Sequence, residues 1–458
     1  MSVPVFSARA FRLRGSGQPS CLLCISGGFD IISWQAAGPK PVWVDARRQW
    51  QPGEAKGGCP QADGSRERAM EGQAVSEDGN KRMANLDLLR CVAMMMVVVL
   101  HYLGKGGLLP ELHQPWGAPE QATGVYGVAA WTLETLCIVA VNVYMFISGY
   151  FLSGSAFKLS RLLQLYIQVW AYSVVFGLVG ALTGVVAETA TDTHYLLTLV
   201  FPVTMGHYWF MTAYVFLYLL LPFVGMAVRQ MTKRQLQTAA VLLLLVFSIA
   251  KSVLPLRLEM DGQGYDCLWY LCVFVAAAYV RRFGVGFLDK KGRCLLLYLG
   301  SCGLILAGTF GLRAVYLRTG SLGRMLGMFL EYNHILPFLA AAGLFGVFKG
   351  LRINGKIAGV INHIAPYTLG VYLLHENLGL RYSWQKWLGA DKISTVPRLL
   401  LGTLAAVLAV FICGIVVDAV RKVIMDLLNR VLSKLGFYRR IVEGIRKVDG
   451  YFAIGERR

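Results

Sequence analysis

The chain has 458 residues, of which 56% are hydrophobic and only 16% charged, and its formal net charge is +19. Soluble globular chains carry about 25% charged residues, so the balance excludes a soluble enzyme and fits a protein that faces lipid, where every ion is costly. The excess of Lys and Arg gathers in short stretches between apolar runs and no nucleic-acid-binding pattern accompanies it, which points to membrane anchoring and away from a nucleic-acid partner.

Residues 1–82 differ from the rest: rich in Gly, Arg, Pro and Gln, with one apolar run from Cys21 to Trp34 broken by Gly27, Gly28 and Asp30. The run is too interrupted to span a bilayer and lacks the order of a signal peptide, so 1–82 reads as a disordered N-terminal extension. Met70 or Met83 is the expected true start. Cys21 and Cys24 form a lone C-x-x-C with Cys59 distant. A zinc site normally needs four ligands, so the ten cysteines read as incidental thiols and no metal is expected.

From Asn85 onward, apolar runs of about 20 residues recur, the length needed to cross. They lie near 85–103, 125–152, 162–187, 207–228, 238–255, 266–283, 294–317, 327–349, 360–381 and 398–424. The expected fold is therefore all-α and polytopic, with about ten transmembrane helices and the membrane domain over 83–424. Basic residues are denser in alternate loops and at both termini, which places N and C termini in the cytoplasm. The expected location is the bacterial cytoplasmic membrane. After the tenth span, 425–458 forms a basic tail whose stretch from Met425 to Ile445 has the spacing of a helix on an anionic leaflet.

The first span holds three ionisable groups, Asp87, Arg90 and His101. Arg90 and His101 are eleven residues apart, almost three whole turns, so they share a face about 16 Å apart along the axis. Asp87 lies one turn before Arg90, within reach of an ion pair. The structural alternative is an Asp87–Arg90 pair at one membrane rim with His101 marking the other.

Leu86-Asp87, then Leu89-Arg90, followed by His101, resembles the Arg-x10-His signature of the acyltransferase-3 family of membrane acyltransferases. Three later stretches agree with that family in order. Val143 to Leu152, containing Ser148-Gly149, is similar to its second-helix block. His207 to Tyr214 with Pro222 resembles its Trp-Phe block. Thr368 to His375 resembles its late Tyr-Leu-x-His block. The likeness covers roughly Asn85 to Asp418.

The resemblance implies transfer of an acyl group, usually acetyl from acetyl-CoA, to a hydroxyl of a carbohydrate or surface-glycan acceptor. Acetyl-CoA is then a co-substrate, and no bound cofactor is expected. Such transfer needs a base for the hydroxyl proton, and His101, a group that titrates near neutrality, is the candidate. Asp87 or Glu134 would orient Arg90 or an imidazole. CoA phosphates need Arg or Lys, which Arg90 provides, as does Lys158-Leu159-Ser160-Arg161. That tetrad resembles a basic Arg-x-x-Arg feature of the family, with Lys in place of the first Arg and the bidentate geometry lost.

Glu134 and Asn142 fall inside the second span, where an acid is a functional hypothesis and an amide more often a helix–helix bond. Ser148-Gly149 reads equally as a close-packing pair. His375-Glu376 is a candidate shaper of the acceptor site. Trp209 reads as an interfacial anchor or as a stacking surface for a sugar ring. His113, His194, His334 and His363 match no block. No H-x-x-x-H pair, P-loop or G-x-S-x-G appears, which leaves zinc hydrolase, ATPase and serine hydrolase without support. A transporter or flippase is the competing class. It would show internal repeats with broken helices, whereas here the ionisable cluster sits in one N-terminal helix.

Overall fold

The computed structural model describes residues 83–116, 124–183, 193–254 and 261–454. The expected extension 1–82, with Met70 and the Cys21–Cys24 pair, lies outside the described residues. Among the described residues the regular structure is helical, with no strand. In chain order the main helices are α1 (Ala84–Lys105), α2 (Gly124–Cys137), α3 (Ala140–Leu152), α4 (Leu159–Leu182), α5 (Thr193–Val200) and α6 (Trp209–Gln230). They continue with α7 (Lys233–Leu244), α8 (Ala250–Val253), α9 (Cys267–Phe283), α10 (Lys291–Thr319), α11 (Ile335–Lys349) and α12 (Gly355–Ile364). The last four are α13 (Thr368–His375), α14 (Trp384–Trp387), α15 (Val396–Leu432) and α16 (Gly436–Ile454).

Nine helical stretches among the described residues are long and apolar enough to cross a membrane. The remaining expected span, 266–283, is α9. Its 17 residues reach about 25 Å at 1.5 Å per residue. Asp266 caps it by accepting from the Trp269 N–H at 2.8 Å, and Trp269 to Val280 are buried almost without interruption. A helix apolar all round belongs inside a bundle. The chain is thus an all-α polytopic membrane protein.

The second expected span, 125–152, is two helices separated by a break at Ile138-Val139. Carbonyls freed inside a membrane must find new partners. Those of Thr135 and Leu136 accept from Cys302 Sγ (3.7 Å) and the Tyr298 hydroxyl (2.8 Å), both on α10. Asn142, expected as an interhelical residue, donates to the Tyr332 carbonyl (2.7 Å) and accepts from Trp269 Nε1 (2.9 Å). Gly149 lets α3 touch α9: a Cβ there would lie 2.9 Å from the Phe274 Cα. The seven described cysteines are free.

Two polar ties set the position of the later helices. Asp418 of α15, 1% exposed, accepts from Arg421 Nε (2.6 Å), the Tyr172 hydroxyl (3.0 Å) and Gln168 Nε2 (3.0 Å). Gly370 leaves room for it, since a Cβ there would lie 2.3 Å from the Asp418 Cβ, so α4, α13 and α15 meet around one carboxylate. The second tie is made by Lys251 of α8, whose Nζ pairs with Asp261 (2.5 Å) and Glu331 (2.7 Å) and donates to Asn333 Oδ1 (2.9 Å).

The chain leaves the last span later than expected. α15 runs on to Leu432, helped by a Lys422–Asp426 ion pair at i,i+4 (2.8 Å). A turn at Ser433 to Leu435 then opens the separate helix α16, so the expected tail helix over 425–445 is shared between the two.

Candidate active site at the end of the first helix

α1 is one continuous helix, and most of its surface is covered by neighbours. His101 lies one turn before its C-terminus. Its Nδ1 is 2.9 Å from His375 Nε2 and 3.1 Å from Glu376 Oε1. α13 brings both partners, with His375 as its last residue and Glu376 as its C-cap. The Asp418 tie holds this helix against α15, and Gly414 admits it closely, since a Cβ there would lie 2.6 Å from the Val371 Cα.

The partners determine the tautomers. His375 Nδ1 lies 2.6 Å from the Val371 carbonyl, which only accepts, so Nδ1 carries the proton. In the neutral ring His375 Nε2 is then an acceptor, and His101 Nδ1–H is the donor, shared between it and Glu376. The lone pair of His101 is left on Nε2, which no described residue bonds. His101 retains 22% side-chain exposure, against 6% for Glu376.

Glu376 is held on every side. Lys105 donates to Oε1 and Arg381 Nη2 approaches Oε2 at 3.4 Å. Burial alone would raise its carboxyl, but His101, Lys105, His375 and Arg381 outweigh it and hold the group at about 2. The segment behind it is braced by His207, whose Nε2 accepts from the Leu378 N–H (3.1 Å) while Nδ1 contacts Ser173 Oγ (3.1 Å). The His207 carbonyl accepts from Arg381 Nη2 (3.0 Å). Burial, and then Arg381, bring the His207 imidazole down to about 3. Trp384 Nε1 caps the His375 carbonyl (3.1 Å) and Gln385 Nε2 reaches that of His101 (3.4 Å).

Donor atoms of His101, His375 and Glu376 lie within 4.8 Å of one another, close enough to share a metal ion. Their surroundings fit that role poorly. Lys105 and Arg381 already bond the two carboxylate oxygens, placing two cations where a divalent ion needs negative ligands. The set is better matched to a fixed hydrogen-bond chain ending in an open imidazole nitrogen.

The other sequence-derived candidates lie elsewhere. Asp87 pairs with Arg90, one turn along α1, and Arg90 also sits 5.1 Å from the Phe151 ring centroid. Arg90 is 33% exposed and shares the neighbourhood of Tyr214 with Arg161. Arg161 and Lys158 are exposed at the start of α4. Glu134 does not meet His101. Its Oε2 has no hydrogen-bond partner, and Tyr265 and Tyr332 lie within its electrostatic reach. The carboxylate that reaches the imidazole is therefore Glu376, rather than Asp87 or Glu134. Trp209 packs against Tyr265 (centroids 4.5 Å) and stacks on Tyr332 (5.9 Å, 18°), and no described bond joins it to the imidazole pair.

Lys105, Arg381 and His207 were not singled out from the sequence as site residues. Each had a local cue. Lys105 falls one turn after His101, Arg381 follows the late His-Glu pair, and His207 opens the Trp-Phe block.

A bundle of membrane-crossing helices in which a half-buried histidine at the end of the first helix meets a buried histidine and a buried carboxylate from α13 defines a polytopic membrane protein with a polar cluster inside it. The family model described as "Acyltransferase domain" matches residues 83–418. The chain belongs to the acyltransferase-3 family and is a membrane acyltransferase. Comparison with curated proteins and with solved structures gives no match.

Proposed function

We propose that the protein moves an acyl group, acetyl by the family's habit, from acyl-CoA to a hydroxyl of a carbohydrate or surface glycan, with His101 as the general base. The observation that carries this reading is the fixed tautomer of His101: Nδ1–H is committed to His375 and Glu376, and Nε2 keeps its lone pair. An acceptor hydroxyl at Nε2 gives up its proton as its oxygen forms a bond to the thioester carbonyl carbon. The carbonyl then reforms, the C–S bond breaks, and the departing CoA sulfur takes the proton from Nε2. His375 and Glu376 hold the ring throughout, as the buried carboxylate does in a Ser-His-Asp triad.

The two ends of α1 divide the labour. Arg90 and His101 stand about 16 Å apart along the axis, a separation suited to phosphates held at one end and a thioester presented at the other by the long pantetheine arm. Lys158 and Arg161 are further phosphate-binding groups. The distribution of basic residues supports cytoplasmic termini, with the donor arriving from the cytoplasm and the acceptor from the opposite side. Trp209, with Tyr265 and Tyr332, supplies aromatic faces of the kind that stack on sugar rings, and Glu134 a carboxylate for their hydroxyls. The membrane served is the cell membrane.

Purified protein in lipid vesicles, supplied with acetyl-CoA and a surface-glycan extract, tests this reading. Transfer of acetyl to glycan detected by mass spectrometry is expected. A preparation that binds neither donor nor acceptor and releases no free CoA would overturn it.

A further inference from the structure

α4 begins without a cap of its own. Its N-cap residue is Lys158, whose side chain makes no capping bond and, as a donor only, cannot make one. One orphan N–H of the first turn is nevertheless met. Asp449 of α16, 289 residues away, accepts from the Ser160 N–H at 3.2 Å through Oδ1 and from the Ser160 hydroxyl through Oδ2. One turn later, Phe452 packs edge-on against Phe157, with centroids 4.9 Å apart. Phe157 in turn touches Tyr218 (5.3 Å), whose hydroxyl both accepts from the Lys158 N–H and donates to its carbonyl at 3.2 Å. Arg161 and Asp449 both lie within electrostatic reach of that hydroxyl.

The rest of α16 explains how this contact is held. At 3.6 residues per turn, Val442, Ile445, Asp449 and Phe452 share the face turned to the protein, and all are half-buried. Phe437, Ile441, Val448 and Tyr451 form a second row that is apolar and exposed. Arg439, Arg440, Arg446 and Lys447 form a third. An exposed apolar row beside a cationic one is the pattern of a helix seated on an anionic lipid surface. α16 thus has one face for lipid acyl chains, one for headgroups and one for the start of α4.

We propose that α16 is a lipid-seated strap that lays the Asp449 carboxylate on the phosphate-binding start of α4, so that it competes with acyl-CoA for that position. The proposal rests on the reading of Lys158 and Arg161 as donor-binding groups. A carboxylate at a helix N-terminus beside Arg161 occupies the kind of site that accepts a phosphate oxygen, and two anions cannot share it. Donor binding therefore requires Asp449 to withdraw.

Steady-state kinetics of the full-length protein in vesicles containing anionic lipid decide the matter. Asp449→Asn, and separately Phe452→Ala, are expected to lower the KM for acetyl-CoA by about 3- to 10-fold at unchanged kcat, the range of one partly exposed charge interaction. A purely structural cap predicts the opposite, an unchanged or raised KM with a falling Tm, and that result overturns the proposal. Arg161→Ala separates the two readings. If it raises the KM while Asp449→Asn leaves it unchanged, the donor site stands and the strap falls. If neither substitution moves the KM, the donor binds elsewhere and both are overturned.

Discussion

At the His101 end of α1, two imidazoles, one carboxylate, Lys105 and Arg381 bond one another in a closed set. At the Arg90 end the cations are sparser and more open: Arg90 has one ion-pair partner and is a third exposed, and Lys158 and Arg161 lie at the surface. The difference teaches what each end is fit for. A base that must accept a proton from one direction needs its other nitrogen immobilised, because preorganised dipoles act without reorganising during reaction. A site that captures a polyanion from solution needs reach and charge, and loses function if it is sealed. Substitutions should therefore lower kcat at the first end and raise donor KM at the second.

The sharpest break would come at His101. His101→Ala is expected to reduce kcat by about 10³-fold, with KM for acetyl-CoA within a factor of about two because the proposed phosphate-binding groups lie at the other end of α1. A near-wild-type rate in a transfer assay would remove the base assignment. Next comes Glu376→Gln, which keeps the shape but lets the amide turn an N–H towards His101 Nδ1 and so favours the wrong tautomer. A loss of about 10²-fold in kcat is expected, and stopped-time product counts would show it. Equal losses in kcat and donor affinity would mean that Glu376 supports the fold and not the ring.

At the open end, Arg90→Lys retains a partner for the buried Asp87 carboxylate but gives up the forked donor. Donor KM should rise about tenfold while kcat holds; a pure kcat effect would erase the distinction between the ends. The smallest expected effect concerns His207. Its imidazole stands at about 3 in the folded protein against an ordinary 6.5, so the unfolded chain binds the proton first as pH falls. Its contribution is full above about pH 6.5 and declines progressively towards pH 3. His207→Gln, whose carbonyl can still accept from the Leu378 N–H, should flatten that slope, and thermal melts between pH 7 and 5 should differ by about 2 °C between the two proteins. Parallel curves would dismiss the brace.

The apolar runs, the Arg90–His101 spacing and the four family blocks were legible in the sequence because they are local: hydropathy and helical period act within one segment. They are enough to assign an all-α membrane protein, to separate two chemical groups along one helix, and to place the chain among acyltransferases. The break at Ile138-Val139 was hidden, since a continuous apolar run carries no mark of the Tyr298 and Cys302 partners that make it tolerable. The identity of the carboxylate that meets His101 was hidden for the same reason. Asp87 and Glu134 were nearer in sequence than Glu376, yet only packing of α13 on α1 brings Glu376 within 3.1 Å of His101. Lys105, Arg381 and Asp449 gain their meaning in the same way. A charge in a membrane protein is defined by what it meets, and for Lys105 and Asp449 the partners, Glu376 and Ser160, lie on other segments, which the tertiary structure alone brings into contact.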